Sequence, residues 1–196
     1  MTGDADGLRS DARENRARIL AATVEALTES PDASLSSIAA RAGVGIGTLY
    51  RHFPTREALL LAVYRNEVQH LVDAAPALLE TEPPLQALRT WLDRLAYYGM
   101  AKVGLKDALA ASHDRLNAET YGPVVGALAT LLDANERAGT VRPGLDPDDV
   151  LLMLGFLWRI DPATDWQSRS RRLLDITIAG LRPDPPHPPD PPADEA

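Results

Sequence analysis

The chain of 196 residues is 45% hydrophobic, contains no cysteine and carries a formal net charge of −8. That apolar content suffices for one large or two small domains, while the missing thiols exclude disulfides and thiolate metal sites and fit a reducing cytoplasm. The net charge excludes a nonspecific nucleic-acid coat. No run of roughly 18 apolar residues occurs, so no membrane span is expected, and the opening MTGDADGLRSDARENR has no apolar signal core.

In chain order, residues 1 to 9 show glycine, aspartate and no periodicity, the pattern of a disordered arm. A first helix is predicted from residue 10 to Glu29, with Ile19, Leu20, Val24 and Leu27 on its buried stripe and Arg9, Arg13 and Arg16 recurring along one side. Ser30-Pro31-Asp32 breaks it. Ser34 is a good N-cap for a second helix that contains Ser36, Ile38 and Ala39 and stops at Gly43. A helix under three turns is marginal alone, so Ile38 and Ala39 must pack inward. Gly43-Val44-Gly45 makes a turn, and a third helix follows. There Leu49 and Phe53 share one face, while Ile46, Gly47, Tyr50 and Arg51 project elsewhere. An aromatic, an arginine and a glycine presented on two helical turns suit a reader of the DNA major groove. The glycines at 43, 45 and 47 also suggest a dinucleotide loop, but its third glycine falls on Thr48 and no strand precedes it.

These residues resemble the tetracycline-repressor-like (TetR-like) transcriptional regulators. The likeness rests on Ile38-Ala39, Gly43-Val44, the run Gly47-Thr48-Leu49-Tyr50-Arg51-His52-Phe53 and Thr55-Arg56-Glu57-Ala58-Leu59, and it extends over about 50 residues from Ile19 to Val68. It implies that Ile46, Gly47 and Thr48 meet base edges and backbone, that Tyr50 and His52 grip phosphates, and that Arg51 faces the groove. Ser36 and Gly45 belong to the same DNA-facing set. Arg56 stands where the family more often has a phosphate-touching lysine. Gly45 departs from the usual polar cap, which puts a cap hydrogen bond worth roughly 1 kcal/mol, and a phosphate contact, in doubt. The charge distribution agrees with this orientation. Residues 9 to 65 hold eight arginines against six acids, a net of +2, whereas the remainder holds 12 basic and 22 acidic residues, a net of −10.

Beyond the motif, Thr55 caps a long helix with Leu60, Val63, Tyr64, Val68, Leu71 and Val72 inward, ending at Pro76. With its first turn at DNA and its last in the body, it would link the two mechanically. Pro83-Pro84 opens a second domain. A helix over 85–102 buries Leu85, Leu88, Trp91, Leu92, Leu95 and Tyr98, a short one runs from Leu105 to Leu116, and another from Thr120 to Arg137 carries Leu128, Leu131 and Leu132. Asp146-Pro147 starts a helix that ends at Asp161-Pro162, and a last one covers Gln167 to Leu181. The tail from Arg182 holds seven prolines and four acids and is expected to be extended and disordered.

The expected architecture is therefore all-α, with about nine helices in three parts before the tail: an arm at 1–9, a three-helix DNA-binding domain at 10–56 and a ligand-binding and dimerisation body at 57–181. The last two helices are apolar around much of their circumference and need covering on more than one side. The resemblance assigns Val150, Leu151, Leu154, Leu157, Leu173, Leu174, Ile176 and Ile178 to a homodimer seam. It also implies a small-molecule effector pocket, for which Trp91, Leu95, Tyr98, Met100, His113, Tyr121, Met153 and Trp158 are the large candidates; each serves equally well as core. No cofactor or metal is expected, since His113 alone makes no metal site. Catalytic signatures are missing, and His113 and Asp114, as helix neighbours, point apart. The expected function is a cytoplasmic one-component regulator, a repressor released from a palindromic double-stranded operator by a small molecule. The alternative is a helical ligand-binding or protein-interaction module that does not read DNA sequence.

Overall fold

The computed structural model describes residues 3–30, 32–105, 113–161 and 163–183, with side chains for 10–99 and 118–183 apart from Thr28, Pro31 and Pro162. The regular structure among these residues is helical, with no strand among them. The order is α1 (Gly3–Glu29), α2 (Leu35–Arg41), α3 (Ile46–His52), α4 (Arg56–Thr81), α5 (Pro84–Leu105), α6 (His113–Arg137), α7 (Pro147–Met153), a 3-10 helix (Leu154–Arg159) and α8 (Trp166–Leu181). No described helix is long and apolar enough to cross a membrane. The chain divides into two compact units, one drawn from 1–72 and 97–124, the other from 73–96 and 125–196.

In the first unit, the N-terminal helices close over one apolar cluster. Ile19 and Leu20 of α1, Ile38 and Ala39 of α2, Leu49 and Phe53 at α3, and Leu59 and Val63 of α4 are its large members, with Val24, Leu35 and Val44 packed against it. The buried face of α1 is rotated from the expected stripe. Ala22, Thr23 and Ala26 are buried, whereas Val24 and Leu27 are half-buried. Small residues let the helices approach, and the Thr23 hydroxyl is satisfied by donating to the Ile19 carbonyl at 2.6 Å. α1 also begins earlier than expected, at Gly3, taking in most of the stretch assigned to an arm. No proline interrupts it there.

Two ion pairs brace this unit. Arg41, in the last turn of α2, donates through Nη1 and Nη2 to the two carboxylate oxygens of Glu29 at 2.7 and 2.5 Å, and Glu25 lies 3.9 Å away. Arg65 of α4 donates to Glu119 of α6 at 2.8 Å. Tyr64 and Tyr98 are buried with ring centroids 5.4 Å apart. Burial, and then the adjacent Tyr64, push the Tyr98 phenol far above the usual tyrosine range.

The second unit buries Leu88, Trp91, Leu92 and Leu95 from α5, Leu128, Leu131 and Leu132 from α6, and Leu174 and Ile178 from α8. Asn135 is fully buried and fully used. Its amide donates to the Pro84 and Leu131 carbonyls at 2.8 Å each, and its oxygen accepts from Thr140 at 2.7 Å. Arg89 pairs with Asp175. Asp146 caps α7 by accepting from the Asp148 amide at 2.8 Å, ahead of Pro147.

Three boundaries differ from expectation. Pro76 does not end α4, which runs on to Thr81, and Pro123 lies inside α6, which starts at His113 rather than near Thr120. Both prolines are exposed, so the carbonyl each frees is open to water instead of orphaned in the core. After Met153 the chain tightens into a 3-10 helix rather than continuing α7. At three residues per turn, Leu154 and Leu157 fall on one face, and both are fully buried. Of the short helix expected from Leu105 to Leu116, Leu105 closes α5 and residues 113–116 belong to α6; residues 106–112, and the tail beyond residue 183, lie outside the described residues.

The Arg41 guanidinium, chiefly by its hydrogen bonds, holds the Glu29 carboxyl below its usual pKa. A carboxylate so depressed contributes stability that is complete above the unfolded value, about 4.3, and is lost as the pH falls through the lower folded one. We expect Arg41→Met to melt below the wild type near neutral pH, and the gap to close as the pH drops from about 4.3 until Glu29 is protonated. Circular-dichroism melts across that range measure it.

Candidate nucleic-acid interface

The turn between α2 and α3 sets the interface. Ser34 caps α2, its Oγ accepting from the Ser37 amide at 3.1 Å. At the other end Gly43 takes φ +66°, the left-handed conformation that L-residues with a Cβ adopt at a cost. Its amide donates to Ala40, and that of Val44 donates to Ala39, at 3.1 and 3.0 Å. These two bonds make a Schellman stop and leave Val44 packed over the cluster. α3 then starts at once from Gly45, whose carbonyl accepts from the Thr48 and Leu49 amides. Gly45 supplies no side-chain cap. Glycine is itself a fair N-cap, so the shortfall against serine is only a few tenths of a kcal/mol. α3 ends at Phe53, which is extended, as the residue before Pro54 prefers.

On α3, Leu49 is 0% exposed, while Ile46 is 43% and Tyr50 49% exposed. Gly45, Gly47 and Arg51 are also exposed, and Thr48 and His52 are half-buried. One surface thus carries Ile46, Gly47, Tyr50 and Arg51 opposite the Leu49 anchor. Ser36 is exposed on α2. A Cβ built at Gly47 meets nothing within 4 Å, and its φ is not positive. The chain's own packing therefore gives no reason for glycine at this position.

Several basic side chains are engaged within the chain. Arg56, half-buried at the first position of α4, donates to the Ala33 carbonyl, tying α4 to the residue before the Ser34 cap. Arg16 stacks over the Phe53 ring at 5.0 Å. Arg51 donates to the Gly47 carbonyl at 3.3 Å and to Thr48 Oγ1 at 3.0 Å. Thr55 caps α4 through the Ala58 amide at 3.0 Å. The Arg9 side chain lies outside the described residues. The Arg41–Glu29 clamp escaped the sequence reading. Its signal was there: Glu25 and Glu29 stand four apart on one helix, and an arginine closes the next.

The effector candidates fall in both units. Trp91 and Leu95 are fully buried, Tyr98 packs on Tyr64, Trp158 is half-buried, and Tyr121 and Met153 are exposed. The side chains of Met100 and His113 lie outside the described residues. Of the seam candidates, Val150, Leu151, Leu154, Leu157, Leu174 and Ile178 are buried within the subunit, Leu173 is half-buried, and Ile176 is 69% exposed. Those six are consumed by the subunit's own core. Leu152, 73% exposed, and Met153 are apolar side chains near them that are left open to solvent.

A helix-turn-helix head on an all-helical body defines a class of DNA-binding regulators. Residues 19–63 match the family described as bacterial regulatory proteins, tetR family, and residues 83–183 match the transcriptional regulator SbtR-like C-terminal domain. The chain is 43% identical to the TetR transcriptional regulator SCO0520 of Streptomyces coelicolor, whose crystal structure aligns over 87% of this chain and 99% of that one with a TM-score of 0.77. A TetR regulatory protein of Mycobacterium vanbaalenii aligns over 90% and 99% at 35% identity, with a TM-score of 0.73. The transcriptional repressor LfrR of Mycolicibacterium smegmatis is 41% identical over 78 residues, a stretch that spans 39% of either chain. The chain belongs to the TetR family of transcriptional regulators.

Gly47→Ala should raise helix stability by roughly 0.5–1 kcal/mol; if α3 lies in the groove, the added methyl should also lower DNA affinity. Melting and fluorescence anisotropy together read both signs. Arg56→Ala should lower the melting temperature through loss of a charged hydrogen bond, worth roughly 1.5–3 kcal/mol. A melt unchanged from the wild type would mean that the Ala33 contact contributes nothing.

Proposed function

We propose that the chain is a one-component repressor that binds a palindromic operator as a homodimer and leaves it when a small molecule occupies the C-terminal body. The observation that carries this is the α3 surface: Ile46, Tyr50 and Arg51 are exposed on a helix whose Leu49 is wholly buried, and Gly47 is a glycine that the fold itself does not call for. On this reading Ile46, Gly47 and Thr48 meet base edges and the sugar–phosphate backbone, Tyr50 and His52 hold phosphates, and Ser36 and Gly45 border the contact. The name of the mycobacterial relative supports repression. The site of action would be the cytoplasm.

A second copy would meet the subunit through Ile176, Leu152 and Met153, large apolar side chains that a monomer leaves in water. Two-fold pairing then sets two heads roughly 34–36 Å apart, one helical turn of DNA. Release requires only that the effector prefer the arrangement whose spacing misses the operator. α4, continuous from Arg56 to Thr81, would carry that shift. On this reading residues 10–56 would serve DNA binding and 57–181 ligand binding and dimerisation.

Selection from random DNA pools, followed by gel shift, tests the reading. A two-fold symmetric sequence retarded at nanomolar protein supports it; binding to all sequences alike, with smearing that grows as salt falls, sinks it. Tyr50→Ala should cut operator affinity about tenfold or more with the melt unchanged, as expected when an exposed phosphate contact is removed. Ile176→Asp combined with Leu152→Asp should give a folded monomer by light scattering that no longer binds the full palindrome.

A further inference from the structure

The operator-binding reading leaves open which side chain distinguishes one base from another, and a contact pair on α3 bears on this. Arg51 lies back along its own helix. Nε donates to the Gly47 carbonyl at 3.3 Å and Nη2 to Thr48 Oγ1 at 3.0 Å. Both donors belong to the same edge of the planar guanidinium. The adjoining edge, Nη1 with the second N–H of Nη2, has no partner among the described residues, and the side chain is exposed. A guanidinium is a rigid fork, so fixing one edge aims the other. The head group also sits over Gly47 and Thr48, in the N-terminal half of α3, the part of a recognition helix that reaches base edges.

Resting on that reading, we propose that Thr48 and Arg51 act as one unit. Arg51 is the specificity-determining residue, its outer edge donating two parallel hydrogen bonds to O6 and N7 of a guanine in each half-site. Thr48 is the positioning residue that holds the fork in place. A phosphate would take the same two bonds, but phosphates alternate along every sequence and would confer no base preference.

The test compares motifs enriched from random DNA by the wild type, Arg51→Ala and Thr48→Val, with melts and salt slopes for each. The wild type should enrich a palindrome with guanine at a fixed position of each half-site. Arg51→Ala should keep the remaining motif and lose discrimination at that position by on the order of ten- to a hundredfold. Thr48→Val keeps the shape and removes the acceptor. It should blur the same position with an unchanged salt slope. Two results overturn the proposal while the wild-type motif stands: Arg51→Ala weakening all bases equally with a shallower salt slope, or Thr48→Val leaving discrimination at the guanine position as sharp as in the wild type. A wild type that enriches no motif overturns the operator-binding reading itself.

Discussion

The anchoring of α3 by Leu49 is the constraint on which the rest of the head depends. A helix of seven residues has too few internal hydrogen bonds to hold itself in water, so its position is set by what it buries. Leu49 and Phe53 enter a cluster built from α1, α2 and α4. The direction in which the exposed side of α3 leaves its backbone is then fixed by helical geometry. This is how Tyr50 and Ile46 stay open to solvent and yet oriented. The Schellman stop at Gly43 matters for the same reason: with Val44 pinned to the cluster and Gly45 already the cap of α3, no slack remains between the two helices.

Polar contacts refine what the cluster sets. Arg41 joins the ends of α1 and α2, Arg56 joins α4 to the start of α2, and Arg16 covers Phe53. All three hold the frame around the α2–α3 turn rather than the face that α3 presents. These arginines keep their charge, but fewer of their donors are open to a partner. Several arginines spend part of their hydrogen-bonding capacity inside the chain, and exposed pairs of this kind weaken with salt.

The head was largely legible from sequence because its signals are local. Ser34 as a cap, Gly43 as a stop and the four-residue spacing of Leu49 and Phe53 each act within a turn or two. The long helices were legible in existence but not in extent. Pro76 and Pro123 look like breaks to any rule that counts only lost amides, and they are tolerated because each lies on an exposed face. The switch to a 3-10 helix at Leu154 was invisible, since a period of 3.0 and one of 3.6 place the same two leucines together over a single turn. Which apolar residues stay open to solvent was hidden for a related reason. Apolar periodicity marks what is buried, and Val150, Leu154, Leu174 and Ile178 are buried by their own subunit. Which apolar residues remain outside is decided by tertiary packing that no local pattern encodes.

Gly45 and Gly47 show where stability and function separate. Each is less favourable in or beside a helix than alanine or serine would be, and neither position has a steric or dihedral need for glycine within the chain. In a head whose other choices agree with one another, from the Ser34 cap to the Thr55 cap, two adjacent local exceptions on one exposed surface stand out. Such exceptions are expected where a sequence is constrained by something besides its own fold. The surface they open is bounded by Ile46, Tyr50 and the guanidinium of Arg51. On the operator-binding proposal its occupant approaches α3 at backbone distance, as a duplex groove allows.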